Sequence, residues 1–264
     1  MKLKKIQLFK RYNWNKLFQE EKYEDALKLL NLEILKEKSS IEKSILHNNI
    51  GLIYERMEDF EKAKEEYTKS LKFDSENKST LTNIGVIHQR LQEFDIAKDY
   101  YLKALKLDEN FIECRYRLAQ VSAGKGLFSE ATNQLHKIIE IDPTFTQAYA
   151  DLALVHKDNE ISLSYCDAMI NYENENSTDG LHLKGYILSF QKKFEQALKI
   201  YDQIIEINEN EVEAFMNAGL ILEKQGKIDE CLMLLEKGLS MNPTHIELMQ
   251  TLALILEKVN RMKE

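Results

Sequence analysis

The sequence predicts an all-α fold in which one helical hairpin is repeated about seven times, and two observations carry this prediction. Small residues recur at spacings of 34, 34, 34, 32, 34 and 34 residues. These small residues, called markers below, are Gly51, Gly85, Ala119, Ala153, Gly185, Gly219 and Ala253. Each marker lies in the first of two amphipathic stretches of about a dozen residues that are separated by a polar turn.

The second stretch of each hairpin has columns of its own. Nine residues after the marker comes a large apolar residue, at Phe60, Phe94, Phe128, Phe194 and Ile228. Twelve residues after it comes a small one, at Ala63, Ala97, Ala131, Ala197 and Cys231. Sixteen residues after it come Tyr67, Tyr101, Leu135, Tyr201 and Leu235. Small residues in both helices allow a close crossing, and the large side chains fill the remaining space. Pro143 and Pro243 share one column and end helices.

Residues 44–77 combine these columns best, with Gly51, Tyr54, Ala63 and Tyr67 in place. This pattern resembles the tetratricopeptide repeat, and the resemblance covers nearly the whole chain. It implies a right-handed superhelical α-solenoid that forms a single domain over residues 1–264. The predicted units are 7–40, 44–77, 78–111, 112–145, 146–177, 178–211 and 212–245, with a C-terminal capping helix over 246–264.

Two units depart from the pattern. The first has Trp14 where a small residue belongs, which indicates an end cap. The fifth is two residues short and is followed by a polar run over residues 171–180. We expect a distorted joint near residues 157–180 between a stack of five units and a stack of two, which is either flexible or rigid and bent.

Composition excludes several classes of function. The chain is 44% hydrophobic and 30% charged, with a net charge of −8, which disfavours nucleic acid as a ligand. The basic N-terminus suits the first helix better than a transit peptide, and no apolar run is long enough for a membrane span. We therefore expect a cytoplasmic protein.

No chemistry-bearing motif stands out. Cys114, Cys166 and Cys231 are odd in number and far apart, and the six histidines follow no metal-binding pattern. Gly124-Lys125-Gly126 fills a turn between helices and is not a nucleotide loop. We predict no enzyme activity, no cofactor, no metal and no small-molecule substrate.

The resemblance implies that the first helices line a concave groove, into which the residue two before each marker points. That column reads Asn49, Asn83, Arg117, Asp151, Leu183 and Asn217. Its asparagines resemble a ladder that grips the main chain of an extended peptide, because an amide both donates and accepts hydrogen bonds. Arg11, Asn15 and Asn49 also match part of the family's carboxylate clamp. Ser79 and Asn83 replace that clamp's further basic residues, so we do not expect a true clamp.

The second half of the chain offers a different groove surface. Its first helices carry an apolar strip composed of Leu183, Tyr186, Phe190, Met216 and Leu220. Such a strip often binds an amphipathic helix. A register shift near the joint would bury it instead, and Lys184 in an apolar column keeps that alternative open.

Together these features predict a non-enzymatic adaptor or scaffold that binds an extended peptide or an amphipathic helix of another protein in its concave groove. Two alternatives remain open. The chain could be a structural subunit of a large assembly that uses its convex face, or a regulatory sensor that responds to a bound peptide.

Overall fold

A computed structural model describes residues 13–173 and 177–263 of the chain. Within these residues the regular structure consists of fifteen α-helices and no strand, so the all-α prediction is confirmed. The helices are α1 Trp14–Gln19, α2 Tyr23–Ile34, α3 Ser40–Arg56, α4 Phe60–Phe73, α5 Lys78–Arg90, α6 Phe94–Leu107, α7 Ile112–Gly124, α8 Phe128–Ile141, α9 Thr146–Val155, α10 Ile161–Tyr172, α11 Asp179–Phe190, α12 Phe194–Ile207, α13 Val212–Lys224, α14 Ile228–Met241 and α15 Ile246–Lys263.

The helices pair into hairpins as the 34-residue period predicts. Odd-numbered helices from α1 to α13 are the first helices, and each packs against the helix that follows it. Helix α15 packs on α14 and α13 as a further first helix. One boundary differs, because α3 begins at Ser40, four residues before the predicted unit. The Ser39 side chain caps it by accepting a hydrogen bond from the Glu42 N–H at 3.3 Å.

The turn inside most hairpins has one residue in the left-handed conformation. That residue lies seven positions after the marker, at Glu58, Gln92, Gly126, Lys192 and Gly226, with φ between 60° and 76°. The fifth hairpin lacks this geometry: its helix α9 ends early, at Val155, and Glu160 has φ −59°. The shortening seen in the sequence therefore falls at the end of α9, which stops two residues after its marker where α3, α5, α7, α11 and α13 stop five residues after theirs.

The marker glycines lie where two helices approach closely. A Cβ built at Gly85 would lie 2.5 Å from Cε1 of Tyr101, and one built at Gly185 would lie 2.8 Å from Cζ of Tyr201. Each tyrosine is the residue sixteen positions later, in the second helix of the same hairpin. The small and large columns of the sequence are thus the two sides of one contact.

The chain divides into two compact units, Met1–Ile141 and Asp142–Glu264, called unit 1 and unit 2 below. Unit 1 holds four hairpins, and unit 2 holds three hairpins and α15. Residues 157–180 lie inside unit 2, so the boundary between the units does not fall at the expected joint, although the fifth hairpin is distorted there as expected. There Leu163 and Ile170 of α10 pack against the core that contains Leu181 of α11. The prediction of a single domain over 1–264 stays a prediction.

The three cysteines are free thiols in the helical core. Burial raises the pKa of Cys114 to about 11 and that of Cys166 to about 12. Cys231 packs with Leu235 and Leu248, as its place in the small column predicts. In the described part of the chain, no group of three or more His, Cys, Asp or Glu residues is arranged to hold a metal ion. No helix there combines the length and apolar character needed to span a bilayer.

Candidate functional site

The first helices of unit 1 border a groove of about 630 Å³, called the first groove below. Its lining follows fixed columns of the repeat. Leu52 and Val86 lie one residue after a marker, and Arg56 and Arg90 lie five residues after one. Two of the predicted groove residues, each two positions before a marker, also line it, and these are Asn83 and Arg117. These columns define the inner face of the first helices.

The first groove concentrates positive charge in a chain whose net charge is −8. Its three arginines, at positions 56, 90 and 117, outnumber its two glutamates, Glu55 and Glu113. The Arg56 guanidinium lies 5.8 Å from the centre of the Phe18 ring, which also lines the groove. This stacking holds a cation at the groove wall. The groove therefore suits a ligand segment with negative charge better than one with positive charge.

Glu55 is a wall residue with a structural role. It is only 9% exposed, it accepts a hydrogen bond from the Tyr67 hydroxyl at 3.1 Å, and it lies 3.6 Å from the Arg90 guanidinium. Burial raises the pKa of its carboxyl, and the Tyr67 hydroxyl and Arg90 oppose that rise without cancelling it. Glu55 thus offsets part of the positive charge of Arg90 without a hydrogen bond to it.

Arg117 retains hydrogen-bonding capacity. Its Nη1 donates a long hydrogen bond of 3.4 Å to Oε1 of Gln120. Its Nε is buried and has no hydrogen-bond partner among the residues that the structure describes. A buried donor without a partner costs about 1 to 3 kcal/mol. A carboxylate that reaches the guanidinium fork from the groove would bind it through two donors.

Two of the predicted asparagines, Asn83 and Asn49, differ in their surroundings. Asn83 lines the first groove, and its Nδ2 donates to Oδ1 of the buried Asn48 at 2.9 Å. Asn48 also accepts from the Thr80 hydroxyl at 3.0 Å, so the Asn83 amide is held with its own Oδ1 directed away from this bond. Asn49 is half-buried and does not line the groove. Sequence reasoning missed Asn48, because nothing in the 34-residue pattern marks it as buried.

The carboxylate-clamp positions do not converge on the first groove. Asn15 in α1 and Ser79 in α5 are exposed, and neither lines it. Arg11 lies outside the described residues, as do the start of the first predicted unit over 7–12, part of the polar run at 174–176 and residue 264 of the predicted cap.

The predicted apolar strip of unit 2 separates into exposed and core residues. Tyr186, Phe190 and Leu220 are exposed, by 47%, 43% and 39%. Leu183 and Met216 are half-buried and pack against core clusters, so they contribute less surface than expected. The Lys184 ammonium lies 2.6 Å from the Asp167 carboxylate, which accounts for a lysine in an apolar column.

Two further leucines extend the exposed surface of unit 2. Leu154 in α9 and Leu254 in α15 are 42% and 59% exposed, and each lies one residue after a marker, as Tyr186 and Leu220 do. These four side chains are called the apolar row below. Sequence reasoning missed the two leucines because it considered only the sixth and seventh units, although the 34-residue period connects all four. The remaining predicted residue, Asn217, is half-buried on the same inner face.

Family comparison agrees with this register. The tetratricopeptide repeat family matches residues 45–77, 79–111, 178–211 and 212–245, which together are about half of the chain. The matched segments coincide with the second, third, sixth and seventh predicted units. No curated protein matches the chain.

Several solved structures are similar to the chain. The C-terminal part of a TPR repeat-containing protein from Cytophaga hutchinsonii superposes with a TM-score of 0.70 at 15% identity, over 92% of this chain and 99% of that one. A tetratricopeptide repeat protein from Parabacteroides merdae gives 0.61 at 17% identity, over 92% and 96%. YrrB, described as a TPR protein with an unusual peptide-binding site, gives 0.50 at 22% identity, over 70% and 96%. At these identities the similarity shows the fold alone.

Proposed function

The chain belongs to the tetratricopeptide repeat family, and from that premise we propose that it is a non-enzymatic adaptor that holds a segment of a partner protein on the inner face of its first helices. The family's fold is that of a protein–protein interaction scaffold. In this chain two separate surfaces would serve that role, the first groove in unit 1 and the apolar row in unit 2.

The observation that carries the proposal is the state of Arg117 in the first groove. Arg117 lines a groove of about 630 Å³, and its Nε has no hydrogen-bond partner among the described residues, which supports binding of a ligand that brings its own acceptor. Arg56 and Arg90 add positive charge to the same groove. A side-chain or terminal carboxylate of an extended segment fits these requirements best.

Asn83 gives the groove a means of holding the main chain of that segment. Its Nδ2 is engaged by Asn48, so its Oδ1 is the atom free to accept from a peptide N–H. An amide oxygen fixed in this way contacts any extended peptide regardless of side chain. The arginines would then determine which peptide sequences bind, whereas the contact between Asn83 and the main chain would be the same for all ligands.

A peptide selection tests this proposal without knowledge of the natural partner. We expect a random library of 12-residue peptides, displayed on phage and selected on the full chain, to yield extended sequences that carry Asp or Glu. Replacing Arg117 with alanine is expected to weaken the selected peptides about 10-fold to 100-fold, the range for losing a charged hydrogen bond. Fluorescence anisotropy on synthetic copies measures the change.

Two variants control for charge and geometry. Lys106→Ala removes one positive charge from an exposed position on α6 outside the groove and is expected to leave binding unchanged. Arg117→Lys keeps the charge but loses the planar fork, so we expect an intermediate loss. Peptides that bind the Arg117→Ala variant as tightly as the parent chain would refute the role of the first groove.

A further inference from the structure

Charged side chains flank the apolar row of unit 2 on both sides. Toward the start of each first helix, six residues before the marker, α11, α13 and α15 present the exposed carboxylates Asp179, Glu213 and Glu247. Toward the end of α13 and α15, five residues after the marker, the exposed Lys224 and Lys258 follow. Across the inner face of unit 2, an acidic edge, an apolar centre and a basic edge thus run in parallel.

The basic edge continues to the end of α9. The Lys157 ammonium lies 4.6 Å from the centre of the Phe190 ring. Phe190 lies five residues after the marker of α11, where α13 and α15 have a lysine, so a cation is present at this position of α11 as well. Lys258 lies 2.6 Å from the half-buried Glu223, and because the lysine itself is exposed, it can exchange this carboxylate for one of a partner.

Unit 1 lacks this acidic edge. The column six before the marker reads Ile45 and Ser79 there, with a glutamate only at position 113. The acids of unit 2 lie in first turns, where a helix dipole favours negative charge, but α3 and α5 fold without acids at that position. Helix formation alone therefore does not require three acids in a row beside four exposed apolar side chains.

The spacing of the apolar row fits a helix that crosses the first helices. Packed helices lie about 8 to 10 Å apart, and seven residues of an α-helix advance about 10.5 Å. One apolar residue in every heptad of the ligand would therefore meet one member of the row. The distance from α9 to α15, three such intervals, corresponds to a ligand helix of about 16 to 20 residues.

The width of the inner face also favours a helix over an extended chain. The acidic and basic edges are eleven residues apart along α13 and α15, or about 16 Å. A helix with its side chains is about 10 to 12 Å across, so the carboxylate and ammonium side chains of the two edges need to extend inward only slightly to meet it. An extended chain lying on the row would leave both edges without contacts.

We propose that the apolar row binds an amphipathic helix whose apolar stripe is bordered by basic residues on one side and by acidic residues on the other. The basic border of this helix contacts Asp179, Glu213 and Glu247, and its acidic border contacts Lys224 and Lys258. This inference rests on the proposed adaptor function and adds the chemistry of the partner at unit 2. The opposite charges of the two edges also fix the direction in which a given helix lies.

Synthetic helical peptides of 21 residues test the inference on the full chain. Three peptides share one leucine-rich stripe and differ in their borders: one lysine and one glutamate border, two lysine borders, or two glutamate borders. We expect the mixed peptide to bind about tenfold more tightly than either of the others, because each of them places like charges against one edge. Fluorescence anisotropy measures the affinities.

Two comparisons locate the site and establish the ligand conformation. Replacing Leu154, Tyr186 and Leu220 with serine is expected to weaken the mixed peptide at least tenfold, whereas serine at the exposed Ile161, Ile207 and Met233 of the second helices leaves it unchanged. A proline at the centre of the peptide, which breaks its helix, is expected to abolish binding.

The outcomes separate this inference from the proposed function. Equal affinity of the three border types, full binding by the proline peptide, or no binding by any of them would overturn the helix inference. None of these results would affect the peptide selection at the first groove, which tests the adaptor function by itself. If the selected peptides bound equally well without Arg117 while the mixed peptide still bound the apolar row, only the proposed role of the first groove would be overturned.

Discussion

Replacing Tyr67 with alanine is expected to lower the free energy of unfolding by about 3 to 5 kcal/mol, the range for removing a buried aromatic side chain. The Tyr67 ring is fully buried, and it lies over the marker Gly51 of the preceding helix. Glycine at position 51 leaves no side chain that could fill the resulting cavity. Loss of the hydroxyl also removes a hydrogen-bond donor from the buried Glu55.

Urea unfolding followed by circular dichroism measures this change. Tyr67→Phe provides the matched control, because it keeps the ring and removes only the hydroxyl. We expect that variant to lose about 1 to 3 kcal/mol, the cost of an unsatisfied buried group. If Tyr67→Ala unfolded within about 1 kcal/mol of the parent chain, the contact between the small and large columns could not be what joins the two helices.

Replacing Gly85 with valine is expected to destabilise unit 1 by about 1 to 3 kcal/mol or more, as overpacking does. A Cβ at Gly85 would lie 2.5 Å from Cε1 and 2.8 Å from Cδ1 of Tyr101. Tyr101 is fully buried, and its hydroxyl donates to Oε1 of Gln89 at 2.7 Å, so the ring cannot move aside. The two helices must separate instead.

A second glycine distinguishes this packing effect from the general properties of glycine in helices. A Cβ added at Gly124, near the end of α7, would meet no neighbouring atom within 4 Å, so Gly124→Ala is expected to stabilise by about 0.5 to 1 kcal/mol. Thermal unfolding of both variants beside the parent chain measures the contrast. A Gly85→Val chain as stable as Gly124→Ala would show that the marker column is not required for close helix packing.

The hairpins could be predicted because each depends on a contact between residues at a fixed separation. A residue such as Gly85 and its partner Tyr101 repeat with the period of the fold, so the packing contact can be recognised in the sequence. The boundary between unit 1 and unit 2 has no such repeated pattern. The polar run after α10 resembled a linker, yet Leu163 and Ile170 pack on α11, and the units divide before Asp142 instead.

The candidate site was predictable only where it follows the period. Asn83 and Arg117 were found because their column is fixed relative to the markers, and Leu154 and Leu254 could have been found in the same way. The unfilled hydrogen-bonding capacity of Arg117 could not, because it depends on which neighbours reach its Nε. The orientation of Asn83 likewise depends on Asn48, whose burial is a result of tertiary packing.

Site-specific photocrosslinking tests the central claim, that the inner face of the first helices is where a partner is held. A photoreactive amino acid is placed at Val86 and Leu220 on the inner faces of the two units, and at the exposed Thr68 and Gln203 on second helices. With lysate of the source organism, we predict that the inner positions yield a discrete adduct with a partner protein and that the second-helix positions do not. Adducts confined to Thr68 and Gln203 would contradict the account.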